Sequence, residues 1–196
     1  AMPEERRCQA QAEHPFCQDF RAMLAVNGRG LRQRHGCSSV WLPLWPDREQ
    51  LRQTVWQFLP LTHILKLSDE ELPFLTGTED IEAALPALFT GDVQLVLFTC
   101  GSKGVRAYTR TASARARSPK VTAVDTTGAG DGFIGSFLWQ LQRDGVTTAE
   151  LPKLSRKRLT EYLTFSNRFC AISVQRHGAI DSYPTLEQMK AEYPLP

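Results

Sequence analysis

The stretch VTAVDTTGAGDGFIGSFLWQL, residues 121–141, constrains the fold more than any other part of the chain. It opens as an alternating apolar strand, tightens through GAG and continues at helical period, with Phe133, Phe137, Leu138 and Leu141 on the packing face. A strand feeding a helix through so short a turn belongs to an α/β sheet. The same turn carries chemistry. Gly128 and Gly130 can take backbone angles closed to other residues, so successive N–H groups can face one point. The positive end of the following helix adds to them. Asp131, in that helix's first turn, can orient a hydroxyl and accept its proton as it attacks an anionic centre. An anion hole beside a base suits phosphoryl transfer to an alcohol, where catalysis is positioning plus stabilisation of the moving group's charge. The duller alternative is a glycine-rich turn capped by an acid, against which stand Asp125, Thr126, Thr127 and the strand–turn–helix context. A dinucleotide turn, GxGxxG, would need glycine where Phe133 stands, and GxxxxGK[ST] occurs nowhere in the chain, so phosphates must be held another way.

Strand and helix alternate through the rest of the chain. In PLWPDREQLRQTVWQFLP, residues 43–60, Pro46 and Asp47 suit a helix start, and Leu51, Val55, Trp56 and Leu59 form an amphipathic stripe. THILKL (62–67) is a short apolar strand. SDEELPFLTG (68–77) reads as a short helix with Ser68 as N-cap, Glu71 in the capping-box position and Gly77 past its end. DIEAALPALFTG (80–91) is a helix bent or broken near Pro86. VQLVLFT (93–99) suits a strand buried on both faces. After the CGSKG turn, VRAYTR and the region around SARARSPKVTAV read as a smaller ribbon returning to the sheet. A last long helix runs from about Arg156 to Val174 through Leu159, Leu163, Phe165, Phe169 and Ile172. The expectation is α/β, with a mostly parallel sheet.

Composition narrows the function classes. The 196 residues suffice for one domain with a sizeable core, and 42% hydrophobic and 22% charged residues are the proportions of a soluble globular protein. A net charge of +2 argues for neither nucleic acid nor an anionic membrane surface, and no apolar run has the length of a membrane span. The start, AMPEERRCQAQAEHPF, lacks the apolar core of a secretory signal. Cys8, Cys17, Cys37, Cys100 and Cys170 are odd in number and form no CxxC pair, which points to free thiols in a reducing cytoplasm. His14, His35, His63 and His177 are too dispersed to suggest a metal cluster.

DTTGAGD, residues 125–131, resembles the second signature of the ribokinase-like, PfkB-type carbohydrate kinases. Three more stretches follow that family's order. KLSDEELPFLTG (66–77) resembles the bacterial fructokinase segment K-x-S-x-x-E, and TCGSKGV (99–105) the T-x-G-x-x-G nucleotide loop. SNRFCAISVQRHGAI (166–180) is similar to the C-terminal helix and loop that wall the adenine site. The resemblance runs from about Leu44 to Ala179 and implies a three-layer α/β/α fold that transfers phosphate from ATP to a sugar hydroxyl, fructose ahead of aminoimidazole riboside and ribose. It implies that Asp131 is the base and that the amides of Gly128, Ala129 and Gly130 form the anion hole. Ser68 and Glu71 would lie near the phosphates and place Mg²⁺ through waters, with Lys66 close by. Thr99, Gly101 and Gly104 would follow the phosphates and ribose, while Asn167, Cys170 and Ala171 border the adenine. Asp125 and Thr127, with carbonyls after Val174, resemble the family's monovalent-cation site, usually K⁺.

Each assignment has a plainer alternative. Ser68 and Glu71 are also a capping box, and Lys66 could be an exposed strand-end charge. CGSKG could be a hairpin turn, Asn167 a solvated helix residue and Cys170 an inert core thiol. Arg156, Lys157 and Arg158 read as a solvated helix face.

The family's sugar site, its first sheet strands and its β lid, which often makes the homodimer, belong to an N-terminal half that residues 1–43 do not resemble. RGLRQRHGCSS has no periodicity, and CSSVW stands where fructokinases carry D-x-N-x-R, with Trp41 in the arginine's place. The expected organisation is an atypical segment, residues 1–43, followed by the C-terminal part of a kinase domain, residues 44–196. Two functions stay open: a fructokinase-type enzyme, and a nucleotide-binding remnant that catalyses nothing.

Overall fold

A computed structural model of the chain describes residues 48–193. The expectations for residues 1–43 and for the helix start at Pro46 and Asp47 lie outside these. Helix α1 (Arg48–Phe58) leads to strand β1 (Ile64–Ser68), and two short helices, α2 (Glu71–Thr76) and α3 (Ile81–Leu88), carry the chain to β2 (Leu95–Thr99). Strands β3 (Val105–Tyr108) and β4 (Ser113–Ala116) follow, then helices α4 (Ala129–Arg143), α5 (Arg156–Ser173) and α6 (Leu186–Glu192).

The four strands form one sheet in the order β1-β2-β3-β4. β1 and β2 are parallel, with Ser68 opposite Thr99, whereas β3 runs antiparallel to both β2 and β4. Among the described residues the sheet is therefore mixed rather than mostly parallel, and the ribbon is its continuation. Connection length explains the difference. The tight turn between Thr99 and Val105 can join only antiparallel neighbours, while the crossover through α2 and α3 is what a parallel pair needs.

Side-chain alternation covers both faces. Leu65, Leu67, Val96, Phe98 and Tyr108 meet Leu51, Val55, Leu72, Leu75 and Leu88 of α1–α3. Ile64, Leu95, Leu97, Val105 and Ala107 meet Phe133, Phe137, Leu159, Tyr162 and Leu163 of α4 and α5. Each such large side chain contributes about 1.5–3 kcal/mol on burial, and the result is the three-layer arrangement expected. Gln140 crosslinks α4 to α5, its Nε2 donating to the Tyr162 carbonyl at 3.1 Å and to Ser166 Oγ at 3.2 Å. Past the end of α4, Asp144 accepts from Arg158 Nη2 and Tyr162 Oη, both at 2.8 Å. Helix α6, which has no sequence-level expectation, starts at a Thr185–Gln188 capping box and docks Met189 on Phe165, Phe169 and Ile172.

One local expectation is corrected, and another is made definite. Val121–Val124 is not a strand: the amides of Val124 and Asp125 donate to the Val174 carbonyl at 2.7 and 3.1 Å, tying this segment to the end of α5 instead of to a neighbouring strand. Helix α3 passes through Pro86 and ends at Leu88.

Candidate active site

The carboxyl ends of the parallel pair place Ser68 and Thr99 side by side, at the kind of sheet margin where α/β proteins bind ligands. Ser68 and Glu71 do form the reciprocal cap: the Ser68 amide donates to Glu71 Oε2 at 2.7 Å, and the Glu71 amide donates to Ser68 Oγ at 3.2 Å. Capping is only half of what this carboxylate does. Its Oε2 also accepts from Lys66 Nζ at 3.3 Å, and the two side chains are 3% and 10% exposed, Lys66 first. Lys66 is thus a buried ammonium, not an exposed strand-end charge. The Thr99 carbonyl accepts from the Asp69 amide at 2.9 Å, which fixes the start of α2 against β2.

The glycine turn faces this pair. Gly128 has φ 75°, and a Cβ there would lie 2.9 Å from Ala179 Cβ and 3.0 Å from Tyr183 Oη, so the position admits only glycine. The Ala129 amide donates to the Thr126 carbonyl at 3.1 Å, so this member of the expected anion hole is spent on closing the turn. The amides of Gly128, Gly130 and Asp131 find no acceptor among the described residues. Lys66 Nζ lies 3.3 Å from the point a Cβ on Gly130 would occupy. An ammonium, three open amides and the positive end of a 15-residue helix therefore converge, and like partial charges so arranged call for an anion between them. Asp131 is exposed at the same helix start and forms no hydrogen bond or ion pair among the described residues.

The turn is braced from two sides. The Cys170 thiol donates to the Ala129 carbonyl at 3.3 Å. Burial pushes this thiol up to about 12 against the pull of the Lys66 charge, so it stays protonated as a donor. Tyr183 Oη donates to the Gly128 carbonyl at 2.8 Å. Asp125 accepts from the Thr127 amide at 2.9 Å and from the Gly178 amide at 3.0 Å. Hydrogen bonds from the Thr127 side chain, then from the two amides, hold its carboxyl down at about 2. Because the folded-state value is depressed, the stabilisation is present above the ordinary carboxylate range near pH 4 and is lost as pH falls through about 2. In an acid titration followed by NMR, the Gly178 amide resonance should hold its position at pH 4 and move only near pH 2. A midpoint at the unperturbed aspartate value of 3.8 would contradict this.

The residues expected to form a nucleotide loop contact the segment after β4, and helix α5 reaches the end of that strand through Asn167. Gly104 has φ 105°, and a Cβ on it would fall 2.3 Å from the Ala116 carbonyl oxygen, the atom that accepts from Asn167 Nδ2 at 3.2 Å. Ser118 Oγ donates to the Gly101 carbonyl at 3.0 Å. Asn167 is buried, so it is not a solvated helix residue, and Ala171 is buried on the same helix. The predicted residues thus fall into two groups: Lys66 and Cys170 against the glycine turn, with Glu71, Ser68 and Thr99 linked to Lys66 through the ion pair, the cap and the strand pairing, and Gly101, Gly104 and Asn167 near the Ala116 carbonyl. Tyr183, Gly178 and Ser118 carry no local sequence signal, since each acts on a residue distant in the chain. Among the described residues, no group of three or more His, Cys, Asp or Glu side chains is assembled to hold a metal by itself, and no helix is long and apolar enough to cross a membrane.

A family model for pfkB family carbohydrate kinases matches residues 20–186. The chain belongs to the pfkB family. The match begins ahead of Leu44, where the motif resemblance starts. Among curated relatives, probable fructokinase-4 of Arabidopsis thaliana is 37% identical over 152 residues, covering 76% of this chain and 45% of the relative. Probable fructokinase-2 of the same plant is 39% identical over 145 residues, covering 73% and 42%. The chain thus spans less than half the length of these relatives. Among solved structures, fructokinase from Xylella fastidiosa with bound ATP superposes with a TM-score of 0.72 at 29% identity, covering 88% of this chain and 54% of that one. Fructokinase from Vibrio cholerae O395 in its fructose, ADP and calcium ion bound form gives 0.65 at 30% identity, covering 76% and 46%. These likenesses agree with the ribokinase-like architecture.

Proposed function

We propose that this chain supplies the phosphoryl-transfer and nucleotide-binding part of an ATP-dependent sugar kinase of the fructokinase type. The observation that carries the reading is the convergence of Lys66 with the open amides of Gly128, Gly130 and Asp131 at the start of α4, beside an unpaired carboxylate. The terminal phosphate of ATP would be bound there, its charge met by the ammonium and the amides. Asp131 would take the sugar hydroxyl's proton as that oxygen attacks. Thr99, Gly101 and Gly104 would lie along the phosphates and ribose, with Asn167, Cys170 and Ala171 on the adenine side. The thiol's bond to Ala129 shifts Cys170's role toward the phosphate end.

Mg²⁺, when bound, supplies charge neutralisation on the phosphate oxygens. Glu71 and Ser68 would hold it through waters, which suits a cation that needs few protein carboxylates when phosphates complete its shell. Asp125, kept anionic down to about pH 2, and Thr127 fit a K⁺ site. Carbonyls after Val174 would complete it. Fructose is the favoured acceptor, supported by the fructokinase relatives. Homodimerisation belongs to the same reading.

The second reading is nucleotide binding without turnover, supported by CSSVW, with Trp41, where fructokinases carry D-x-N-x-R. A coupled assay for fructose phosphorylation, run beside a calorimetric titration with MgATP, separates them. Turnover with ATP binding is expected. Binding with background turnover selects the second reading, and the absence of both rejects the phosphate site.

A further inference from the structure

The loop after α5 is fastened to the glycine turn at two points that bracket it. Gly178 donates to Asp125 ahead of the turn, and Tyr183 donates to Gly128 inside it. The loop is also closed on itself and on α5. Ser182 Oγ donates to the Ala179 carbonyl at 2.7 Å and lies 2.7 Å from Ser173 Oγ. The tyrosine ring is wedged: its centroid is 5.3 Å from that of Phe169. A Cβ on Gly132 would lie 3.0 Å from Tyr183 Cε1 and 3.1 Å from Phe169 Cε1. The hydroxyl therefore has little freedom to leave the Gly128 carbonyl.

A trans peptide points its C=O and N–H in opposite directions, so holding a carbonyl fixes the next amide. Tyr183 on the Gly128 carbonyl sets the Ala129 N–H toward Thr126, and Cys170 on the Ala129 carbonyl sets the open N–H of Gly130. The Gly128 carbonyl also accepts from the Gly132 amide, so the tyrosine completes its second lone pair.

We propose that Tyr183 is a positioning residue for the anion hole: its hydroxyl holds the Gly128 peptide in the left-handed turn that leaves the Gly128, Gly130 and Asp131 amides open. The proposal rests on the reading of this turn as a phosphate site. Tyr183→Phe removes only the hydroxyl and keeps the wedge. In the full chain, amide exchange followed by NMR should quicken roughly three- to tenfold at Ala129 and Gly132 in this variant, with the α5 amides unchanged. The affinity ratio of MgATP to adenosine, by calorimetry, should fall by a similar factor. Unchanged exchange at Ala129 and Gly132 would overturn the proposal. So would faster exchange throughout α5, which marks lost packing, or local loosening with an unchanged ratio. Tyr183→Leu, which also loses the wedge, should lower Tm where Tyr183→Phe does not, and equal losses of Tm would again overturn it. If the unsubstituted chain binds MgATP no better than adenosine, the phosphate reading itself fails, whatever the exchange data say about the tyrosine.

Discussion

Asp131→Asn should lower fructose phosphorylation by about 10²–10⁴-fold while MgATP affinity stays within a factor of about three. Asparagine keeps the size and hydrogen-bonding reach of the side chain but cannot take a proton at neutral pH. The open amides of Gly128, Gly130 and Asp131 are backbone groups and survive the substitution, so the phosphate should still be held. Because Asp131 is exposed and unpaired among the described residues, the variant should fold as well as its parent. A coupled assay and a calorimetric titration on the same preparation read the two effects. Retention of more than about a tenth of the rate would remove Asp131 from the role of base. Equal loss of rate and affinity would make it a binding residue.

Glu71→Ala should destabilise the chain by about 3–5 kcal/mol in urea denaturation, because it leaves the Lys66 ammonium buried without its counter-charge. About 1 kcal/mol of that is the lost cap on the Ser68 amide. The open helix end beside Lys66 makes matters worse, since it offers the stranded ammonium more positive potential instead of less. The double variant Lys66→Met, Glu71→Leu removes both charges and should recover most of the loss, as apolar replacements of buried pairs do. A Glu71→Ala effect below about 1 kcal/mol would show that water already reaches the ammonium, and the electrostatic case for an anion at this point would weaken with it.

What was legible in the sequence was what is local. The Ser68–Glu71 box spans one turn, and both of its hydrogen bonds form as the spacing suggests. The run Leu95–Thr99 is apolar because α2 and α3 cover one side of it and α4 and α5 the other. Val121–Val124 misled because alternation is also local, whereas whether a segment becomes a strand depends on its partner, here a helix end at Val174. The GAG amides were read as equivalent, yet the turn consumes the middle one, a matter of backbone geometry that residue identity leaves open. Nothing in SYP marks Tyr183, since its target lies 55 residues away in the chain. For Lys66 the sequence leaves a phosphate-side ammonium and an exposed strand-end charge both open, because burial of its ammonium depends on where α4 and α5 come to rest.

The hydrogen bonds that fasten the loop after α5 to the glycine turn join residues 53 and 55 positions apart. Contacts of such separation incur their chain-closure entropy before they give anything back. The geometry of the glycine turn therefore belongs to the assembled domain and not to the DTTGAGD stretch alone. A peptide carrying only that stretch would have the sequence of the turn and neither of the bonds that brace it from the loop after α5.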